Sequence, residues 1–230
     1  LTTCCLGSLA VFPATADDGR AKGEEFEERR EKILKDAKLW PLPEHRPPVK
    51  AFRHKLRELD GYSVENVAIE TVPGFFRFGN LYRPLGRKNL EPIILSPFRR
   101  SGENRQIVHA HLAKMGAAVF SYETGSGDDF ALQIWNAVRA VDFATGLERV
   151  DSGRLGVICS SGNAMQWMQL ALVDDRMELD NMHFAGEDDY NYADRPKTIY
   201  EFLARRLQMR RNPFKAVSYT HLTLPTSDLV

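Results

Sequence analysis

Two kinds of hydrophobic periodicity divide this chain. Residues 23–40 are dense in charge, and Phe26, Ile33, Ala37 and Trp40 recur at near-helical spacing. That pattern predicts an amphipathic helix lying as a solvated cap against the domain. Pro41, Pro43, Pro47 and Pro48 follow and oppose regular structure, leaving an extended lead-in. From residue 64 the period drops to two. Residues 64–72 alternate like a half-buried strand, Pro73 and Gly74 turn the chain, and residues 75–82 alternate again. This predicts an antiparallel hairpin.

The next apolar positions come in short continuous runs: Ile93-Ile94-Leu95, Ala117-Ala118-Val119-Phe120 and Leu155-Gly156-Val157-Ile158-Cys159. Runs of this length predict strands buried on both faces of a parallel sheet. Helical stretches alternate with them. One spans 106–114 and ends at Gly116, and a second spans 130–147 with Ile134, Val138 and Val141 on one face. A third spans 164–173, with Met165, Met168 and Leu172 turned to the sheet. The order predicts an α/β fold: a mostly parallel sheet with helices on both faces, preceded by an antiparallel hairpin and an N-terminal helix. A last strand, at 181–184, is expected to close against 155–159. Ligands of such sheets sit beyond the carboxyl ends of the strands. Here those ends are Ser96-Pro97-Phe98, Tyr122-Glu123-Thr124 and Ser160-Ser161-Gly162.

Composition alters this picture mainly at the termini. Residues 1–16 are uncharged and apolar, and end in Ala14-Thr15-Ala16 before the charged 17–20. We read them as the hydrophobic part and cleavage site of a secretory signal peptide, in preference to a buried first strand or helix. A secreted or periplasmic protein is therefore expected. Residues 217–230 fit no element pattern, and 217–226 resemble a translation of the transposase adapter used in preparing sequencing libraries. The expected organisation is then 17–60 as helix and lead-in, and 61–216 as the folded domain. Of the three cysteines only Cys159 lies in the mature part, so no intrachain disulfide forms there. Thirty-one basic and thirty-one acidic residues cancel, so no global field draws the chain to nucleic acid or to an anionic membrane. No uncharged apolar run is long enough to span a bilayer. A neutral substrate is the expectation, and the oligomeric state is open. The scattered histidines show no metal-ligand spacing.

Candidate chemistry centres on Ser161. A serine between a strand end and a helix start has its hydroxyl lifted from the sheet, and the helix N-terminus offers amides to a developing oxyanion. The segment reads Cys159-Ser160-Ser161-Gly162-Asn163, so both outer glycines of the G-x-S-x-G pattern are replaced. On local sequence alone, a serine capping an ordinary helix fits better.

A series of segments in order resembles the acetylxylan-esterase-like α/β-hydrolases. They are Trp40-Pro41-Leu42-Pro43, Gly61-Tyr62-Ser63-Val64-Glu65, Gly79-Asn80-Leu81-Tyr82-Arg83-Pro84, the segment 112–122, the helix 133–143 and the strand entry 150–157. In that family the part matching 159–166 reads like G-A-S-G-G-G-T-Q, which implies Ser161 as nucleophile and Gly162 as an oxyanion donor. The family's P-H-G-H-type loop after the first parallel strand is replaced by Pro97-Phe98-Arg99-Arg100. The amide near Phe98 keeps the donor role, and Arg99 and Arg100 stand at the substrate rim. Residues 181–190 resemble the family's V-H-F strand and E-G-H-D-Y turn. His183 then falls on the strand histidine, and Asp188 takes the place of the catalytic histidine. Residues 200–207 resemble the closing helix, and the chain is shortened after Met177.

A triad needs a base and an acid after the serine. The candidates are His183 as base, with Asp188 or Asp189 as its orienter. The resemblance implies a carboxylic-ester hydrolase of the acetyl-carbohydrate type with a degenerate triad. It would act on a small-molecule or carbohydrate ester and need no cofactor. The alternative is a non-catalytic relative, either a binding domain or a defective fragment.

Overall fold

The continuous apolar runs do form buried strands. The computed structural model describes residues 19–86, 89–98, 103–125, 129–160, 164–185 and 196–209. The expected signal segment, the adapter-like tail and the positions of Ser161, Gly162, Arg99, Arg100 and Asp188 lie outside those residues. The first helix, α1 (Gly19–Asp36), precedes three antiparallel strands, β1 (Ala51–Leu59), β2 (Tyr62–Val72) and β3 (Phe75–Pro84). Then follow β4 (Glu91–Phe98), α2 (Glu103–Met115), β5 (Ala118–Glu123), α3 (Phe130–Thr145), β6 (Val150–Ser160) and α4 (Ala164–Val173). A single 3-10 turn leads to β7 (Met182–Ala185), and α5 (Pro196–Arg206) is the last described helix.

All seven strands form one sheet in the order β1-β2-β3-β5-β4-β6-β7. The pairings β1–β2, β2–β3 and β3–β5 are antiparallel, and β5–β4, β4–β6 and β6–β7 are parallel. The sheet is therefore mixed, which corrects the expectation of a mostly parallel one. The hairpin is not an appendage, because β3 pairs directly with β5 from Gly79↔Tyr122 to Tyr82↔Val119. A Cβ on Gly79 would stand 2.3 Å from the Ser121 carbonyl oxygen, so this crossing needs glycine.

Side-chain alternation divides the core into two layers. Ile93, Leu95, Phe120, Leu155 and Val157 face α3, α4 and Leu34 of α1. Ile94, Val119 and Ile158 face α2 and α5, where Ile199 and Leu203 are buried, with Leu207 just beyond the helix end. The expected closing strand is β7, paired with β6 from Val157↔Met182 to Ser160↔Ala185.

Three local expectations are corrected. Strand β1 occupies residues read as part of the lead-in. It is an edge strand with most side chains exposed and several charged, so it carries no alternation, and its charges guard the open edge. In α4 the buried side chains are Trp167, Leu170, Ala171 and Val173, while Met168 is 40% exposed. A helix apolar nearly all round has no phase to read, and the bulk of Trp167 sets the face. In α1 the buried position is Leu34, and Trp40 lies beyond the helix end at 45% exposure.

Candidate active site

The site follows from how the strands are wound. After β4 the chain crosses through α2 on one face to β5. After β5 it crosses through α3 on the other face to β6, on the far side of β4. The direction of winding therefore reverses between β4 and β6, the place where open α/β sheets form their ligand crevice. The ladders show the same thing. β4 stays paired with β5 to Phe98↔Glu123, and β6 stays paired with β7 to Ser160↔Ala185. Between β4 and β6, pairing ends at Leu95↔Val157. Residues 96–98 and 158–160 run on past that last pair, so the two strands part there, at the place where a crevice is expected. In the sequence, position 161 falls between the end of β6 at Ser160 and the start of α4 at Ala164.

Phe98 ends β4 half-buried. Its carbonyl accepts hydrogen bonds from the Thr124 N–H at 2.9 Å and the Thr124 hydroxyl at 3.3 Å. In an extended strand the N–H and C=O of one residue point the same way. Phe98 therefore turns both groups towards β5, and its own amide does not face the crevice. Thr124 was read only as part of a strand end, and no sequence signal marks its partnership with Phe98.

His183 lies on β7 with its Cα opposite Ile158. Ser160, where β6 ends, lies two residues further on, about 7 Å along the strand. Its ring packs on the Phe202 ring of α5, with centroids 5.1 Å apart. The imidazole is thus held on the α5 face of the sheet, back from the rim. The carbonyl of His183 lies 3.7 Å from Cys159 Sγ, and burial pushes the Cys159 thiol up to about 12.

Sequence reading also missed a buried serine–histidine pair. His109 of α2 and Ser96 of β4, 1% and 0% exposed, share a hydrogen bond of 2.7 Å between Nε2 and Oγ. Burial, with the Arg105 charge adding to it, pushes His109 down to about 3. The ring is therefore neutral near pH 7. No substrate reaches this pair, and its effect is to fasten α2 to the strand that carries Phe98. A polar residue beside the buried Val108 and Leu112 on one helix was the available signal.

The remaining ionic features lie elsewhere and are structural. Asp129 caps α3 by accepting from the Leu132 N–H at 2.8 Å. At the opposite end of α3, Asp142 receives Arg46, Arg139 and Arg176, each at 2.7–3.0 Å. Arg176 also binds Asp174. Burial would raise the Asp142 pKa, but the hydrogen bonds and charges of Arg46 and Arg176 outweigh it and hold the carboxylate below its usual range. Among the described residues no group of three or more His, Cys, Asp or Glu is placed to hold a metal ion. No helix among them is long and apolar enough to cross a membrane.

No family model and no curated protein matches the chain. Solved structures do. Methylesterase BT1017 superposes with a TM-score of 0.59 at 23% identity, over 69% of this chain and 40% of that one. A candidate acetyl xylan esterase from Bacteroides fragilis gives 0.54 at 12% identity, over 67% and 51%. A glucuronoyl esterase from Solibacter usitatus gives 0.52 at 17% identity, over 68% and 56%. The chain thus spans about half the length of the structures it matches. Over that span, it has the fold of the α/β-hydrolase-like esterases.

Proposed function

We propose that the chain is a serine carboxyl-ester hydrolase acting on acetyl esters of carbohydrates, outside the cytoplasm. The observation that supports this reading is the parting of β4 from β6 beyond Leu95↔Val157, with position 161 falling in the sequence between the end of β6 and the start of α4. Ser161 is the proposed nucleophile. Its hydroxyl oxygen attacks the acetyl carbonyl, the base takes its proton, and the sugar alcohol leaves with that proton. Water then releases acetate by the reverse path. The proposed oxyanion donors are the Gly162 amide and the first peptide N–H beyond Phe98, since the amide of Phe98 itself is turned to β5. Arg99 and Arg100 belong to the rim in this reading. His183 is the proposed base, with Asp188 to orient it. For this its ring has to leave Phe202 and turn along β7 towards the rim. The names of the three fold neighbours support the reaction class, and the balanced charge of the chain supports a neutral ester.

Hydrolysis of an aryl acetate by the full chain tests the reading, with Ser161→Ala and His183→Gln beside it. Loss of turnover in Ser161→Ala, to the buffer rate, is expected. Equal rates for the parent and Ser161→Ala would leave the non-catalytic alternative standing. A His183→Gln variant as fast as the parent would remove His183 from the mechanism.

A further inference from the structure

An apolar groove of about 690 Å³ opens on the same edge of the sheet as the crevice. Its walls are Trp40 and Pro41 from the lead-in, Val72 from the β2–β3 turn, and Leu132 and Trp135 from the first turns of α3. The β2–β3 turn and the start of α3 both lie beyond the carboxyl end of β5, which places the groove on this edge.

The groove is built rigidly. The Trp135 indole N–H donates to the Thr71 carbonyl at 2.7 Å, fixing that ring to β2. The Arg139 guanidinium lies 5.9 Å from the Trp135 ring and donates to the Pro47 carbonyl at 2.8 Å. Arg46 donates to the Pro43 carbonyl at 2.6 Å and to Asp142. These bonds clamp the proline-rich arm to α3, and the arm presents Trp40.

The occupant has to suit three features. The groove is wide open, so a purely apolar molecule would leave much of its surface in water, unlike the enclosure that small apolar ligands receive. Its lining includes Lys38 and Asp129, one charge of each sign, so neither an anion nor a cation is favoured. Thr71 is among the lining residues, and its hydroxyl is buried with no hydrogen-bond partner, a group that a hydroxylated ligand satisfies after a turn about the Thr71 side-chain bond. A pyranose ring meets all three: an apolar C–H face for the indole, and hydroxyls for water, the floor and the rim.

The groove is also well separated from the nucleophile position. β3, β5 and β4 stand between β2 and β6, and four strand spacings of about 4.8 Å make roughly 19 Å. We propose that the Trp40–Trp135 groove is a distal carbohydrate subsite, holding a sugar ring of an oligosaccharide whose esterified ring lies in the crevice. This rests on the esterase reading for the crevice end only.

The experiment is calorimetric titration of the full chain with xylohexaose, repeated with Trp40→Ala and Trp40→Phe, alongside aryl acetate hydrolysis by each. The exposure of Trp40 makes both variants foldable, which circular dichroism checks. Binding by the parent is expected, with Trp40→Ala weakening it about twofold to tenfold and Trp40→Phe retaining most of it. Turnover of the small acetate should be unchanged in both variants. Equal affinity of parent and Trp40→Ala overturns the subsite. So does a lack of xylohexaose binding, including the case where a proline-rich peptide binds through Trp40 instead. Binding that depends on Trp40 without any aryl acetate turnover would sink the catalytic reading and leave the subsite in place. Turnover without binding would do the opposite.

Discussion

Acidification should destabilise the chain well above the pH at which its carboxylates protonate, and His109 should be the main cause. The ring is 1% exposed, shares one hydrogen bond with Ser96, has no partner for Nδ1, and lies 5.4 Å from the Tyr82 ring. Burial and then the Arg105 charge push it down to about 3, against about 6.5 in an unfolded chain. Below pH 6.5 the unfolded state takes up a proton that the folded state refuses. The stability contributed by the neutral ring is therefore full above pH 6.5, and is lost as pH falls from there towards 3. Linkage sets the loss at about 2 kcal/mol between pH 7 and pH 5, a sizeable part of the ~5–15 kcal/mol that holds a domain together. His111 adds to the slope with the same sign, because burial and Lys114 lower it too. Asp142 acts only at lower pH, since its carboxylate is held below the usual range. Urea unfolding at pH 5, 6 and 7, followed by circular dichroism and fluorescence together, measures the slope. His109→Gln removes the titrating group and should flatten it, while His111→Gln removes a smaller share. A His109→Gln variant with the parent's slope between pH 7 and pH 5 would refute the assignment.

Two further substitutions probe how the two halves of the sheet are joined. Gly79→Ala places a Cβ 2.3 Å from the Ser121 carbonyl oxygen and 2.9 Å from the Tyr122 Cα. Backbone cannot yield as a flexible side chain does, so a loss of about 1–3 kcal/mol is expected in urea midpoints at unchanged m-value. Asp142→Ala leaves Arg46, Arg139 and Arg176 facing one another without the carboxylate they share. We expect about 3 kcal/mol lost, together with earlier proteolysis in the proline-rich arm; a melt equal to the parent's would contradict the clamp.

How much of this was legible before any coordinates depended on burial. Strands β4, β5 and β6 are buried on both faces, and their apolar runs announced them. The β2–β3 hairpin announced itself by alternation and by Pro73-Gly74. Strand β1 did not, because an exposed, charged edge strand has no hydrophobic pattern of its own and forms only because β2 offers a ladder. The mixed character of the sheet was equally hidden. It depends on β3 pairing with β5, a contact between residues some forty positions apart that only a glycine opposite Tyr122 hints at. At the candidate site, the strand ends 96–98 and 158–160 were legible as ends of apolar runs. The parting of β4 from β6, the capture of the Phe98 carbonyl by Thr124 and the Ser96–His109 bond are all tertiary facts. The groove was missed for the same reason: Trp40 was assigned to the face of α1, whereas the helix stops at Asp36 and frees the indole for the arm.

The structure also bears on one apparent defect of the nucleophile segment. The missing glycine at position 159 counts against Ser161 only if the backbone there needs glycine. Cys159 is a β6 residue paired with Phe184 of β7, and its side chain is wholly buried in the layer that contains Trp167 and Leu170 of α4. The positive φ values at non-glycine residues among the described ones fall at Lys38, Lys55, Arg149 and Gln208, not at Cys159. Extended backbone accepts any side chain that has room, and the α4 layer gives this thiol room. The exchange of glycine for cysteine is therefore a change of packing beneath the turn, not of the turn itself. The Cys159 position therefore leaves the proposal for Ser161 as it stood, and hydrolysis by Ser161→Ala is the measurement that decides it.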